Sequence, residues 1–271
     1  MWPWAGTGSP AKGTGRIPRG RVNREGGKGL ARRIGALLCA LPYEAVWGMY
    51  FLATVLLPLV VPSHAVGRPP RGPCLFCVTH VGSFDPLFVV RHSRRWRARA
   101  LFHVDERHPW LRFFYQAFFR FRVTRDPREK GSLNARTVAA AVRYLAGGGS
   151  VMVFPEGHLY WEGRLYPGVA KLAHRSGAPI VPVLLGNAYV YRPGAEEEPL
   201  GRMCLRILRE TRRLGGVAVH FAPPILPDPS RPEGEDVERM MRQVERVFRE
   251  FYRDAYALPG PRWIAPQREG A

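Results

Sequence analysis

The sequence predicts an α/β protein: a mixed, largely parallel sheet flanked by helices, with an N-terminal membrane-associated helical hairpin in front of it. Three observations carry that expectation. From Gly72 onward, short β-branched or apolar runs alternate with stretches of helical spacing. Upstream, residues 34–61 form a 28-residue apolar run, broken only by Glu44 and by Pro42 and Pro58. The length of 271 residues, 46% of them hydrophobic, suffices for one domain with a sizeable core plus an appendage.

Taken in order, residues 1–33 read as a flexible basic tail, with eight Lys and Arg against the single acid Glu25. Residues 34–66 read as an embedded apolar hairpin. A spanning helix needs about 20 apolar residues, whereas the cleanest stretch, Ala45 to Val61, has 17 with Pro58 near its end. Glu44 at mid-bilayer would cost on the order of 3 kcal/mol, and Pro42 breaks a single helix through the run. Arg68 and Arg71 follow the run as the basic tail precedes it, so the positive-inside rule keeps both ends in the cytoplasm. A single span and a secretory signal ending near Ser63-His64-Ala65 are the rivals, though the run is long for a signal and starts far from Met1.

Residues 67–258 form the main domain and 259–271 a C-terminal tail. Strands are expected at Cys74 to Thr79, Ala100 to Val104, Arg122 to Thr124, Ser150 to Phe154, Ile180 to Leu185 and Val217 to Phe221. Helices are expected at Pro109 to Phe119, Ser132 to Ala146 and Val169 to Ser176. An apolar stripe from Val237 through Met240, Met241, Val244, Val247, Phe248 and Phe251 marks a last packing helix from about Glu235 to Tyr256.

The formal net charge is +19, nearly all of the positive charge being Arg, so the partners should be anionic. Residues 91–143 alone hold 14 Lys and Arg against four acids. Nucleic acid would suit such a face, but these charges interleave with Trp96, Trp110, Phe113, Phe114 and Tyr115, and the upstream apolar run has no role there. An anionic lipid surface explains both features. The four cysteines are too few for a disulfide scaffold. Cys74 and Cys77 have metal-ligand spacing without a second ligand pair, so the pair reads as core packing and no metal is expected.

Chemistry begins where the first strand of the domain ends, at Thr79-His80-Val81-Gly82-Ser83-Phe84-Asp85-Pro86. His80 and Asp85 can meet only if the chain turns between them, and Gly82-Ser83 supplies the turn. Pro86 suits the first position of a helix, which makes Asp85 its N-cap. A carboxylate at that point can also accept Nδ1–H from His80, fixing the tautomer whose Nε2 is basic. Phe154-Pro155-Glu156-Gly157 ends another expected strand. If the two strands run parallel, His80 and Glu156 reach one rim, where open α/β sheets bind ligands.

These residues, in this order, resemble the membrane-associated glycerolipid acyltransferases typified by lysophosphatidic acid acyltransferase. The His-x4-Asp motif is His80 to Asp85, and the second motif, a short strand ending in Arg, is Phe121 to Arg125. The third is Phe154-Pro155-Glu156-Gly157 and the fourth is Ile180-Val181-Pro182-Val183, so the resemblance covers roughly residues 72–190. It implies an enzyme on the cytoplasmic face of the cell membrane, monotopic or peripheral, in phospholipid biosynthesis. The reaction implied moves an acyl group from acyl-CoA or acyl carrier protein to a lysophospholipid hydroxyl, with no cofactor beyond that co-substrate. His80 and Asp85 take the catalytic roles, and Arg125, Glu156 and Gly157 bind substrate. The third motif usually continues Glu-Gly-Thr-Arg-Ser, but here it runs Glu156-Gly157-His158-Leu159-Tyr160, so the second phosphate-side Arg is missing. Arg164 and Lys171 are the candidate replacements. That departure leaves the acceptor open between 1-acylglycerol-3-phosphate and another lysolipid or a glycolipid. A Ser hydrolase is a poor fit because Ser83 lacks the Gly-x-Ser-x-Gly elbow; a catalytically silent membrane-binding protein is the rival from another class.

Overall fold

The computed structural model describes residues 48, 51–52, 54–56, 59–80, 84–103, 121–124, 127–156, 165–186 and 200–254. The basic tail, most of the apolar segment, the helix expected at Pro109 to Phe119 and the C-terminal tail lie outside the described residues. Within the domain the order is β1 (Ser63–Val66), β2 (Leu75–Val78), α1 (Asp85–Ser93), β3 (Arg99–His103), β4 (Phe121–Val123), α2 (Pro127–Ala146), β5 (Val151–Val153), α3 (Gly168–Ser176), β6 (Ile180–Gly186), α4 (Leu200–Arg213), β7 (Val217–Phe221) and α5 (Glu233–Asp254).

The strands form one seven-stranded sheet in the order β1-β7-β6-β2-β5-β3-β4. From β6 to β4 every neighbouring pair is parallel; β7 lies antiparallel to β6, and β1 runs parallel to β7. The sheet is thus mixed and largely parallel, as expected. Its central strands read as continuous apolar runs because helices cover both faces. Along β2 the side chains alternate: Phe76 and Val78 join one core with Phe88, Val89 and Val90 of α1, while Leu75 and Cys77 join another with Leu172 of α3 and Met240 and Phe248 of α5. Cys74 and Cys77 are buried thiols, and burial pushes the Cys77 thiol well above its ordinary range, which suits packing and not nucleophilic chemistry.

The strand at Ser63–Val66 was not among those expected from the sequence. It pairs with β7 from Ser63 opposite Val217 to Val66 opposite His220, so the sheet takes in the last four residues of the segment read as hairpin. Two glycines let the chain approach there. A Cβ on Gly216 would lie 2.2 Å from the carbonyl oxygen of Pro62, and one on Gly67 would lie 2.5 Å from that of Phe221; both residues have positive φ.

Pro182 stands in a central strand, where a missing N–H normally argues against strand structure. Its carbonyl accepts from the Ala222 N–H, so the missing donor faces the end of β7. Beyond it Ile180 pairs with Ile225, leaving two residues, Pro223 and Pro224, opposite the single Val181. The regular ladder thus ends at Pro182, where its missing N–H costs one bond.

Asp236, fully buried, ties α3 and α5 to the loop after β7. Its carboxylate accepts from His174 Nδ1 and from the Asp228 N–H, each at 3.0 Å, and from the Arg239 guanidinium. Burial works to raise its pKa, but the hydrogen bonds from His174, Arg239 and Asp228 outweigh it and hold the carboxyl below its ordinary range. The ionised group therefore stabilises the fold above the unfolded-state pKa, and that contribution is lost as pH falls through the lower folded-state value. Asp236→Ala should cost about 3–5 kcal/mol in urea unfolding at neutral pH, the figure for removing one partner of a buried ion pair. The gap to wild type should narrow below about pH 4. Equal stability at neutral pH would show that the network contributes nothing.

Candidate active site

The parallel register of β2 and β5 sets Leu75 opposite Val151 and Cys77 opposite Val153. Continued three residues past the strands, it brings His80 level with Glu156. The condition left open by the sequence is therefore met, and both residues stand at the C-terminal rim of the sheet.

His80 Nδ1 lies 2.9 Å from Asp85 Oδ2, with the His side chain 26% exposed and the Asp side chain 3%. The expected cap is displaced by one residue. Phe84 is the N-cap of α1, Asp85 is the first helical residue, and no side chain caps the helix. The carboxylate meets His80 through Oδ2, and its charge sits favourably at the helix start. With the proton on Nδ1, Nε2 is the basic nitrogen. The Phe154 ring, which the sequence reading passed over as a site residue, packs against the imidazole with centroids 4.6 Å apart. Its alternation along β5 marked it: Phe154 follows Met152 onto the α1 side of the sheet.

Glu156 is fully buried, and its pKa is raised to about 8, chiefly by burial and also by the neighbouring Asp85 charge. The backbone N–H groups of His80 and of Glu156 itself oppose the shift. Neither carboxyl oxygen has a partner of full hydrogen-bonding geometry among the described residues. Expected as a substrate-binding residue, Glu156 is sealed from solvent, and its side chain faces the strand end that carries His80.

Lys171 is exposed on α3, across the sheet from α1. No described contact joins it to His80. Arg125, Gly157 and Arg164 lie outside the described residues. The residue before Arg125 is held firmly: Asn134 of α2 accepts from the Thr124 N–H at 2.9 Å and donates to its carbonyl at 3.0 Å. Among the described residues no group of three or more His, Cys, Asp or Glu is placed to hold a metal ion.

An imidazole at the end of one parallel strand, held by a carboxylate at the start of the next helix, is an arrangement able to take a proton at a sheet rim. Residues 62–186, from the residue before β1 to the end of β6, match the family model described as Acyltransferase. Those residues carry an acyltransferase domain, and at that level the resemblance read from the four motifs is borne out. Among solved structures it is similar to the 1-acyl-sn-glycerophosphate (LPA) acyltransferase PlsC from Thermotoga maritima. The TM-score is 0.46 and the identity 17%, over 79% of this chain and 81% of that one. No curated protein matches the chain.

The state of Glu156 has a measurable consequence. The folded protein keeps a proton that the unfolded chain releases at the ordinary value of 4.5, so raising the pH from about 4.5 to 8 removes stability. Glu156→Gln copies the neutral acid and escapes this loss. The melting temperature of the Gln variant should match that of wild type at pH 4 and exceed it increasingly as the pH rises to 8. A difference independent of pH would mean that Glu156 is ionised in the folded protein.

Proposed function

We propose that the protein is a membrane-associated glycerolipid acyltransferase that moves a fatty acyl group from acyl-CoA or acyl carrier protein to the free hydroxyl of a lysophospholipid. The favoured acceptor is 1-acylglycerol-3-phosphate, which assigns the enzyme to phospholipid biosynthesis. The observation that carries this reading is the His80–Asp85 pair at the sheet rim. His80 Nε2 takes the proton of the acceptor hydroxyl as its oxygen attacks the thioester carbonyl, and Asp85 supports the imidazolium. The new C–O bond forms, the C–S bond breaks, and the thiolate leaves and recovers a proton from His80. A free thiol has a pKa near about 8.5, so its departure needs little acid assistance. Backbone N–H groups near Gly82 or Gly157 are the candidates for holding the oxyanion.

Membrane association is supported by an inverted pattern ahead of β1. The described residues of the 48–60 segment are helical, with Phe51, Leu52, Val55, Leu56, Leu59 and Val60 exposed while Thr54 is buried. Pairs repeating every four residues lie on one helix face, so the apolar stripe points outward. Phe51 meets Trp96 edge-on at 5.0 Å, and Arg91 donates to the Thr54 carbonyl, which keeps the segment on the α1 side of the sheet, the side of His80 and Phe154. No described helix is long and apolar enough to cross a membrane. We assign the enzyme a monotopic or peripheral place on the cytoplasmic face of the cell membrane. Arg125 and Arg164 are the proposed phosphate-side cations, with Glu156 and Gly157 shaping the acceptor end; Lys171, on the far face of the sheet, is the weaker candidate.

Incubation of the full chain with a labelled acyl thioester and a panel of lysolipids tests the activity. His80→Ala should lower turnover by roughly 100 to 10,000-fold, the usual contribution of general-base catalysis, without releasing the protein from membranes. Near-normal turnover would remove His80 from the chemistry.

A second substitution reads the acceptor. If Arg125 grips the phosphate, Arg125→Ala should reduce acceptor efficiency by about 10 to 150-fold, from a charge-assisted contact of roughly 1.5–3 kcal/mol, and leave donor kinetics nearly unchanged. Arg125→Lys should recover only part, having lost the fork. Unchanged acceptor kinetics would point to a lysolipid other than lysophosphatidate.

A further inference from the structure

The α4 helix carries a surface that the acyl-transfer reading leaves unused. Arg202, Leu205, Arg209 and Arg212 follow one another at spacings of three, four and three, which sets them on one face. All four are exposed, Leu205 by 70%, while Thr211 is buried and Leu208 packs against the core shared with α1. An apolar side chain thus stands bare in the middle of an arginine row.

Among the described residues the row is not neutralised. Arg202, Arg209 and Arg212 have no ion-pair partner among the described residues; only Arg213, beside the row, approaches an acid, Glu210 at 3.9 Å. Across the sheet the same residue type is treated differently. On α5, Arg239 pairs with Asp236, Arg242 with Glu238 and Arg249 with Glu245, and Arg175 of α3 pairs with Glu233. Four arginines of the α3–α5 layer thus meet acids of their own layer, whereas Arg202, Arg209 and Arg212 on the outer face of α4 meet none among the described residues. Because Leu208 joins the same core as Val61, Trp96 and α1, the row lies on the side of the sheet that carries the exposed apolar stripe of residues 51–60.

We propose that the Arg202–Leu205–Arg209–Arg212 row seats on an anionic lipid surface, as a second contact beside the stripe of residues 51–60. The proposal rests on the membrane reading given above and adds a place and a headgroup preference to it. Arginines flanking one apolar side chain suit an interface, where the cation meets phosphate and the Leu enters the acyl boundary. An acidic carrier protein would satisfy the charges, but the shared side with six exposed apolar residues favours lipid.

Full-length protein with Cys39 and Cys204 changed to Ser, leaving only the buried Cys74 and Cys77, accepts an environment-sensitive label at one introduced cysteine. Labels are placed at Leu205→Cys, at Leu56→Cys in the apolar stripe and at Glu235→Cys on α5. Vesicles of phosphatidylcholine, with and without phosphatidylglycerol, carry brominated chains as quenchers. The expected result is quenching at 56 on both vesicles, at 205 only with phosphatidylglycerol, and at 235 on neither. Changing Arg202, Arg209 and Arg212 together to Ala should raise the lipid concentration needed for the signal at 205 on the order of 100-fold, from about 1 kcal/mol per arginine. Quenching at 56 with none at 205 overturns this inference alone; quenching at neither overturns the membrane reading with it. If 205 stays unquenched while the triple variant raises the KM for an acyl carrier protein donor in neutral detergent, the row belongs to the carrier.

Discussion

The site depends on one constraint, the in-register parallel pairing of β2 with β5 on one side and β6 on the other. Because the three strands point the same way, their C-terminal ends open on a single rim, and residues far apart in sequence arrive there together. His80 comes with β2 and Glu156 with β5. A one-residue slip of β2 would turn Phe76 and Val78 away from α1 and exchange the two faces of that strand, so its register is held by two full cores. Catalytic geometry here is a by-product of core packing.

Within that frame the His80–Asp85 contact results from a competition for one carboxylate. An acid at a helix start ordinarily bonds the helix N–H groups. In α1 the cap falls on Phe84, and Asp85, one residue inside, turns its oxygen toward the imidazole instead. Pro86 shares in this: it has no N–H to be satisfied, so the first turn loses less when its acid is diverted. Glu156 shows the complementary case. With His80 and Asp85 already paired, another buried charge next to them would be costly, and the neutral form is the one that fits.

Much of this was legible in the residues. Apolar runs marked six of the seven strands to within a residue or two, and β7 was bounded as observed, because strands buried on both faces leave little freedom in composition. The His80 to Asp85 spacing with a glycine turn was enough to expect their contact, although the cap was placed one residue late. What failed was governed by surroundings. Ser63–Val66 is a short, largely exposed edge strand whose place is set by Gly67 and Gly216 packing against its neighbours, not by a pattern of its own. The α4 helix escaped notice because arginines interrupt its apolar spacing, and α2 begins five residues before the expected Ser132, at Pro127, a residue suited to a first turn. The burial of Glu156 was likewise invisible, since a turn after a strand gives no sign of which carboxyls will be covered.

The sheet also gives the molecule two unlike sides, and the difference lies in pairing more than in composition. Both helical layers are rich in arginine. On α5 Arg239, Arg242 and Arg249 are answered by acids three or four residues away, a local arrangement that is worth little individually in water but offsets their charge. On α4 and beside residues 51–60 few acids stand among the described residues and apolar side chains are exposed, so that surface presents cations and apolar groups together. The acceptor of the proposed reaction would present both of those properties, a phosphate and an acyl chain, and the His80 rim lies on the same side of the sheet. The sidedness of that surface therefore aligns with the direction from which an acceptor hydroxyl would approach His80.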